Sequence, residues 1–417
     1  MLNIYNISPN VVAIKNIKKT SFGADVGGDV GTSRKPANIG MTVNGEAVIQ
    51  KGTPLFGENP VTPAGMLKSL ALYTSKALTG HESERNNIAI ALPGPVKNGF
   101  CYPPNIKNPE TNIAIGAIPI DKKTFCSQPE LKGINFNNVI FCNDGASWGG
   151  LVLLRLAADK KDLNELFPDG KETPVITPGG GLAVTEIRGR KDTIEIVPRE
   201  KGHLFKRGTD RPIEQVSTSV PAMIKNYATA LGINSEKAEA LGKIGDGKIV
   251  TEHEISLNPQ KATYKKLKDA NLLNLFTEKV DGDNVKLTLN DNNGNPIKEN
   301  QHETAFNKAA NQFYEGIGQV IADFVDGGKT DKAVLTGAFV GFVMKKSKDL
   351  GQNPEQLIKA HMMENLDLTG QNLVGSSDKF QILHVAAMDS TEGGELIAKS
   401  SVGGDSDYYS IKREELS

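Results

Sequence analysis

The stretch VIFCNDGASWGGLVLLR, from Val139 to Arg155, decides how this chain reads. A β-branched and aromatic run meets Asn143 and Asp144, then small residues, then an apolar stretch with helical spacing. That is a strand handing over to a helix, with an acid at the joint. Open α/β folds keep their chemistry outside the carboxyl ends of strands. An acid at such a joint can take part in chemistry. It can also cap the helix that follows, a contact worth about 1 kcal/mol. Asp144 alone admits both roles.

The same grammar repeats outward from that joint. NIAIALPGP (Asn87 to Pro95), NNVIFCND, TPVITPGGG, KAVLTGAF and FQILHVAAMD each read as a short buried strand stopped by Gly, Pro or Asp. Amphipathic helices lie between them. Thr62 and Pro63 open one, as N-cap and first-turn residue, and Met66, Leu70, Tyr73 and Ala77 line its face. Phe306, Ala310, Phe313, Ile317, Val320 and Phe324 line a second. Strands alternating with helices predict a layered α/β architecture. Residues 236–302 differ: they are rich in Lys, Asp and Asn, with DGDN and DNNGN turns. They read as a surface insertion in which NVKLTLNDNNGNPIKEN forms a small hairpin.

With 417 residues, 23% of them charged, and a formal net charge of -1, no broad basic surface is implied, so nucleic acid is not an expected partner. Cys101, Cys126 and Cys142 are too few and too widely spaced for a zinc site or a disulfide framework. The opening MLNIYNISPNVVAIKNIKKTS has no basic segment followed by an apolar one, so no secretory signal is expected. No segment approaches the roughly 18 apolar residues of a membrane span. These features predict a cytoplasmic globular protein.

Two glycine turns can present backbone N–H groups to phosphate oxygens, since no Cβ blocks the approach. The first ends an extended segment at Asp29, Gly31 and Thr32; the second is VITPGGGLAVTEI, with Gly179, Gly180 and Gly181. Each also suits a plain hairpin. DGGKT (Asp326 to Thr330) ends like a P-loop, but Asp323 stands where that loop needs Gly and a helix rather than a strand precedes it. His81, His253, His302, His361 and His384 stand apart from any motif, which suits surface or packing roles. His203 is different. Glu200 precedes it in VPREKGHLF and Glu214 follows in PIEQVSTSVPAM; carboxylates beside an imidazole suit the gripping of hydroxyls, and a solvated charge cluster is the alternative.

The order of these parts carries more than any one of them. An acid-Gly-Thr turn is followed by ALPGPVKNGFCYPPNIKN, FCNDGA, TPGGGLAV, EKGH, a Glu and a late VLTGAFVGF. This order resembles the bacterial glucokinases and the wider ROK family of repressors and sugar kinases, within the actin-like ATPase superfamily that also holds hexokinases and 70-kDa heat-shock proteins. The resemblance covers nearly the whole chain apart from the insertion. It implies two ribonuclease H-like lobes, mixed sheets flanked by helices, with ATP and sugar in the cleft between them. Residues 1–143 would form the small lobe, completed by a C-terminal helix near 392–417, and residues 144–391 the large one.

Position by position, the resemblance makes Asp144 the catalytic acid/base. Asn143, Asn105, Glu200, His203 and Glu214 become the sugar-binding residues. Gly31, Thr32, Gly179, Gly180, Gly181 and Gly337 would hold ATP, and Asp29 would hold Mg²⁺, directly or through water. An alternative register makes Asp25 the first-turn acid; Asp29 is favoured because the strand after it then follows at closer to the family spacing. Gly180 stands where the family has Thr and Ala183 where it has Gly, which puts a hydroxyl contact to phosphate in doubt. The final MDSTEGGELIAKS resembles the family's acidic-Gly start to a closing helix. A Cys-rich zinc loop common in the family is missing, and only about 20 residues precede the first sheet, too few for the repressors' DNA-binding domain. The implied activity is phosphoryl transfer from ATP to the 6-hydroxyl of glucose or a related hexose, and a homodimer is compatible with it. A sugar sensor that has lost catalysis, and an ATPase that handles no sugar, are the rival readings.

Overall fold

The computed structural model describes residues 23–32, 37–199, 204–291, 293–326, 330–367, 370–371, 374, 380–386, 390–399 and 408–416. Two compact units divide the chain. Unit 1 comprises Met1–Val175, Val184–Glu200 and His384–Ser417; unit 2 comprises Ile176–Ala183 and Lys201–Leu383.

Unit 1 is built on a five-stranded sheet. Its strands are β1 (Asp25–Gly31), β2 (Asn38–Val43), β3 (Glu46–Pro54), β4 (Asn86–Leu92) and β8 (Phe136–Asn143), in the order β3-β2-β1-β4-β8. β1 to β3 form an antiparallel meander, and β1, β4 and β8 run parallel. Parallel strands buried on both faces read as continuous apolar runs; every residue of β4 is buried. The helix Pro63–Ala77 starts as expected, with Thr62 Oγ1 accepting the Gly65 N–H and Pro63 in the first turn. It buries Met66 and Leu70 fully, while Tyr73 stays partly exposed and donates to the Pro54 carbonyl. Three two-residue strands, β5 (Val96–Lys97), β6 (Phe100–Cys101) and β7 (Ile118–Pro119), form a small sheet beside it.

The helix Asp144–Ala158 follows directly on β8. It lies in unit 1, which the chain first leaves after Val175 and re-enters over Val184–Glu200. The reason is packing. This helix lies against the helix Thr391–Ala398, which in turn lies on β1 and β4. A Cβ on Gly393 would stand 1.9 Å from the Ser147 carbonyl oxygen, and one on Gly27 1.9 Å from the Thr391 oxygen. Backbones this close admit only glycine. β10 (Leu182–Gly189), β11 (Thr193–Arg199) and β17 (Tyr409–Lys412) follow in an antiparallel row, with β11 against the Asp144–Ala158 helix.

Unit 2 is organised by the 27-residue helix Glu299–Val325. Phe306, Ala310, Phe313, Ile317 and Val320 are fully buried along it, and the helices Val220–Ala230 and Pro354–Asn365 pack on it. β15 (Lys332–Thr336) lies between β9 (Glu172–Pro178) and β16 (Gln381–Val385). The DGGKT stretch thus follows a helix and precedes a strand, the reverse of a P-loop; its Gly327, Gly328 and Lys329 lie outside the described residues. The insertion contains a three-stranded sheet of β12 (Glu254–Leu257), β13 (Phe276–Asp281) and β14 (Asn284–Leu289), ordered β12-β14-β13. The expected hairpin over 284–300 is corrected here. β14 turns back on β13 through Gly282, at φ 60, and the DNNGN turn closes only a single bridge, Asn290 to Pro296. The ladder goes to β13 because Phe276–Asp281 supplies a full partner strand, whereas Pro296 cannot donate to one. His302 is wholly buried, its Nδ1 2.7 Å from the Tyr227 hydroxyl, and burial pushes its pKa down to about 4.

Candidate functional site

In unit 1 the carboxyl ends of β1, β4 and β8 lie side by side. Asp29 stands opposite Ala91 of β4, and Ala91 stands opposite Cys142 of β8, two residues before Asp144. Asp29 and Asp144 therefore share one end of the sheet. The Cys142 thiol between them is fully buried; burial pushes its pKa up to about 12, with the negative charges of Asp144 and Asp29 adding to the rise and the Ser147 hydroxyl opposing it.

The two roles open to the acid at the strand–helix joint are divided between Asn143 and Asp144. Asn143 is the N-cap: its side-chain oxygen accepts the Gly145 N–H at 2.8 Å. The expected capping role of Asp144 passes to Asn143, because Asp144 is already the first helical residue and a cap must precede it. The Asp144 Oδ1 accepts the same N–H at 2.9 Å from a partly exposed position. An anion in the first turn of a helix is favoured by the helix dipole. The Asn143 amide also donates to the Gly94 carbonyl at 3.0 Å, tying β8 to the turn after β4. Gly94 has φ 99, and a Cβ there would lie 2.4 Å from the Tyr102 oxygen and 2.8 Å from Pro104 Cδ. Asn105 follows directly, exposed in a turn. The path Asn105, Gly94, Asn143, Asp144 is thus one connected corner of unit 1.

The two candidate first-turn acids now separate. Asp25 begins β1, roughly 13 Å along the strand from Asp29. Its carboxylate is taken by Lys399 Nζ at 3.0 Å and by the Asn87 amide at 2.9 Å. Gly27 and Gly28 after it are mid-strand, and Gly27 serves the contact with the Thr391–Ala398 helix. Asp29 is 8% exposed, two residues before the end of β1, and Lys51 Nζ lies 3.0 Å from its Oδ2. Gly31 ends the strand and Thr32 follows it, partly exposed.

In unit 2 the second glycine turn lies between β9 and β10. The Gly179 N–H donates to the Gly181 carbonyl at 2.8 Å, and the Gly179 carbonyl accepts the N–H of Val220, the first residue of its helix. Gly180 is exposed at the tip, and a Cβ on Gly179 would meet nothing within 4 Å. Glu214 lies against this turn, its Oε2 accepting the Leu182 N–H at 3.2 Å. Gly337, at φ 99, caps the helix Ala338–Asp349; a Cβ there would come within 3.2 Å of Thr177 Cγ2 and 3.7 Å of the Pro178 oxygen. Gly337, the glycine turn and Glu214 thus come together at one end of β9. Glu200 and His203 lie outside the described residues.

Two residues that matter to this geometry were not singled out by sequence reasoning. Gly94 reads in the sequence only as a strand breaker. Lys51 carried one usable signal, the Gly52 beside it inside a strand pattern, which marks a bulge.

For the magnesium ion implied by the resemblance, the described residues offer Asp29. Among them no group of three or more His, Cys, Asp or Glu side chains could hold a metal. Magnesium bound with a nucleotide takes one or two carboxylates and fills its remaining positions with water and phosphate oxygens. A mostly buried carboxylate that already faces an ammonium suits a cation, so the residues fit. Among the described residues no helix is long and apolar enough to cross a membrane.

No protein-family model and no curated protein matches this sequence. Solved structures do. The glucokinase of Balamuthia mandrillaris, in complex with glucose, aligns with a TM-score of 0.53 over 93% of this chain and 96% of its own, at 10% identity. A Cytophaga hutchinsonii structure assigned to the sugar kinases aligns at 0.50 over 89% and 98%, with 15% identity. A ROK family glucokinase from Streptomyces griseus, in complex with glucose and AMPPNP, aligns at 0.45 over 89% and 97%, with 16% identity. At these identities the likeness is one of fold. The chain has the actin-like ATPase fold of the glucokinases and sugar kinases, the fold that its ROK-like motifs imply.

Proposed function

We propose that this chain is an ATP-dependent hexose kinase that phosphorylates the 6-hydroxyl of glucose or a related hexose, with Asp144 as the general base. The observation that carries the reading is the division of labour at the end of β8. Asn143 caps the helix, and Asp144 stands at the same sheet end as Asp29. A fold shared with a glucose-bound glucokinase supports it.

Phosphoryl transfer asks a protein mainly for positioning and charge neutralisation. Asp144 accepts the proton of the attacking hydroxyl, a contribution of about 10²–10⁴-fold. Its Asn143 neighbour, held by Gly94, fixes the direction from which the carboxylate meets the sugar. Asn105, Asn143 and Glu214 are assigned to the sugar together with Glu200 and His203, and carboxylates that pair specific hydroxyls would discriminate among hexoses. Gly31, Thr32, Gly179, Gly180, Gly181 and Gly337 are assigned to the nucleotide, through backbone N–H groups where the family's Thr is replaced by Gly180. Asp29 would hold Mg²⁺, which would supply positive charge to offset the negative charge of the phosphates. The use of ATP suits a cytoplasmic protein.

The test is a panel of hexoses with ATP, reading ADP release, beside calorimetric titration of each sugar. Hexose-dependent ADP release is the expected result. Sugar binding without it would leave a sensor, and ADP release indifferent to sugar would leave a plain ATPase.

A further inference from the structure

The β1 to β3 meander is irregular at one place. Ile39 pairs with Thr53 and Met41 with Ile49, so three residues of β3, Gln50 to Gly52, stand opposite the single Gly40 of β2. Gly52 takes φ 98, and Thr53 Oγ1 closes the bulge by donating to the Gln50 carbonyl at 2.7 Å. Bulges of this kind re-aim a side chain. Here the residue re-aimed is Lys51. Gly40, opposite Asp29 on β1, would carry a Cβ only 3.1 Å from Lys51 Cα. Its missing side chain lets Lys51 pass over β2 and reach Asp29, with Nζ 3.0 Å from Oδ2.

Three observations argue against Lys51 serving only as a surface ion pair. Its side chain is 38% exposed, and exposed pairs contribute little to stability. A bulge, a left-handed glycine and a bare position on the intervening strand all serve this one ammonium. It also lies at the sheet end shared by Asp29 and Asp144. A lysine ammonium is a compact charge on a flexible stem and can exchange one anionic partner for another.

We infer that Lys51 is a phosphate-binding residue of the nucleotide site. Its ammonium rests on Asp29 in the free chain and moves to the terminal phosphates of a nucleoside triphosphate when Asp29 turns to the magnesium ion. This rests on the kinase reading above.

The test compares wild type with Lys51→Met and Lys51→Arg by calorimetric titration of a non-hydrolysable MgATP analogue and of MgADP. Mn²⁺ binding without nucleotide is measured by electron paramagnetic resonance. One lost charge-assisted contact predicts that Lys51→Met binds the triphosphate about tenfold or more weaker and the diphosphate much less so, with Lys51→Arg in between. Free Mn²⁺ should bind Lys51→Met more tightly, because Asp29 has lost its competing cation. Unchanged triphosphate affinity in a folded Lys51→Met would overturn the inference and leave Lys51 as a neutraliser of Asp29. A wild type that binds no nucleotide would instead remove the kinase reading, and this inference with it.

Discussion

Asp144 and Asn143 are adjacent and chemically similar, yet the structure gives them separable duties. Because Asn143 caps the helix, Asp144→Asn should lose at most about 1 kcal/mol, the size of a first-turn charge on a helix dipole. Its turnover should fall at least about 10²-fold while sugar still binds. Denaturant unfolding and steady-state rates check both halves; retained turnover would remove Asp144 from the mechanism. Asn143→Ala should cost more stability, about 1–2 kcal/mol, through the cap and the link to Gly94. Gly179 offers a cleaner probe of the phosphate turn. With open space around it and no left-handed backbone, Gly179→Ala should fold normally. Its methyl group would nevertheless stand at a surface assigned to phosphate, so weaker nucleotide binding at unchanged stability is the expected outcome of a titration.

At the scale of elements, the helix Thr391–Ala398 is the piece whose docking matters most to unit 1. Gly393→Ala should destabilise by about 1–3 kcal/mol, since its Cβ meets a carbonyl rather than a flexible side chain. The same helix carries a titration. Glu395 accepts the Gly45 N–H with both oxygens, at 3.0 and 2.9 Å. Burial raises its pKa to about 7; nearby Asp25 adds to the rise, while the Gly45 amide and Lys399 oppose it. The folded state thus holds a proton that the unfolded chain releases near its ordinary value. Stability from this group is complete at acid pH and is lost as pH rises towards 7, by about 3 kcal/mol at most. The difference in unfolding free energy between wild type and Glu395→Gln, measured at pH 5 and pH 8, should change by that order. An unchanged difference would mean that Glu395 stays charged when folded.

For the molecule as a whole, ligand linkage is the direct test of function. A ligand that binds only the folded chain stabilises it by about 2.7 kcal/mol at a hundred times its Kd. Hexose and MgATP analogue should each raise the melting temperature, and a panel of sugars ranked by that shift should match the ranking by ADP release. A shift with nucleotide alone, indifferent to every sugar, would favour the ATPase reading.

Local chemistry was enough to read the strands, the Thr62 cap, the buried face of the helix Glu299–Val325 and the acid at the end of β8. Each depends on near neighbours in the chain: periodicity, turn residues, a β-branched run meeting an Asn-Asp pair. The resemblance of ordered motifs then pointed to the fold that the solved glucokinase shares. Tertiary structure alone decided the rest. It separated Asp29 from Asp25: strand pairing puts Asp29 near the end of β1 that lies beside the end of β8, and Asp25 at the end that meets Lys399. It gave the cap to Asn143, kept the helix Asp144–Ala158 in unit 1 through its contact with a segment more than 200 residues away, and brought Lys51 to Asp29 across a strand. These outcomes depend on register and on close backbone approach between distant segments, and a chain read one residue after another carries no local sign of which segment will lie beside it.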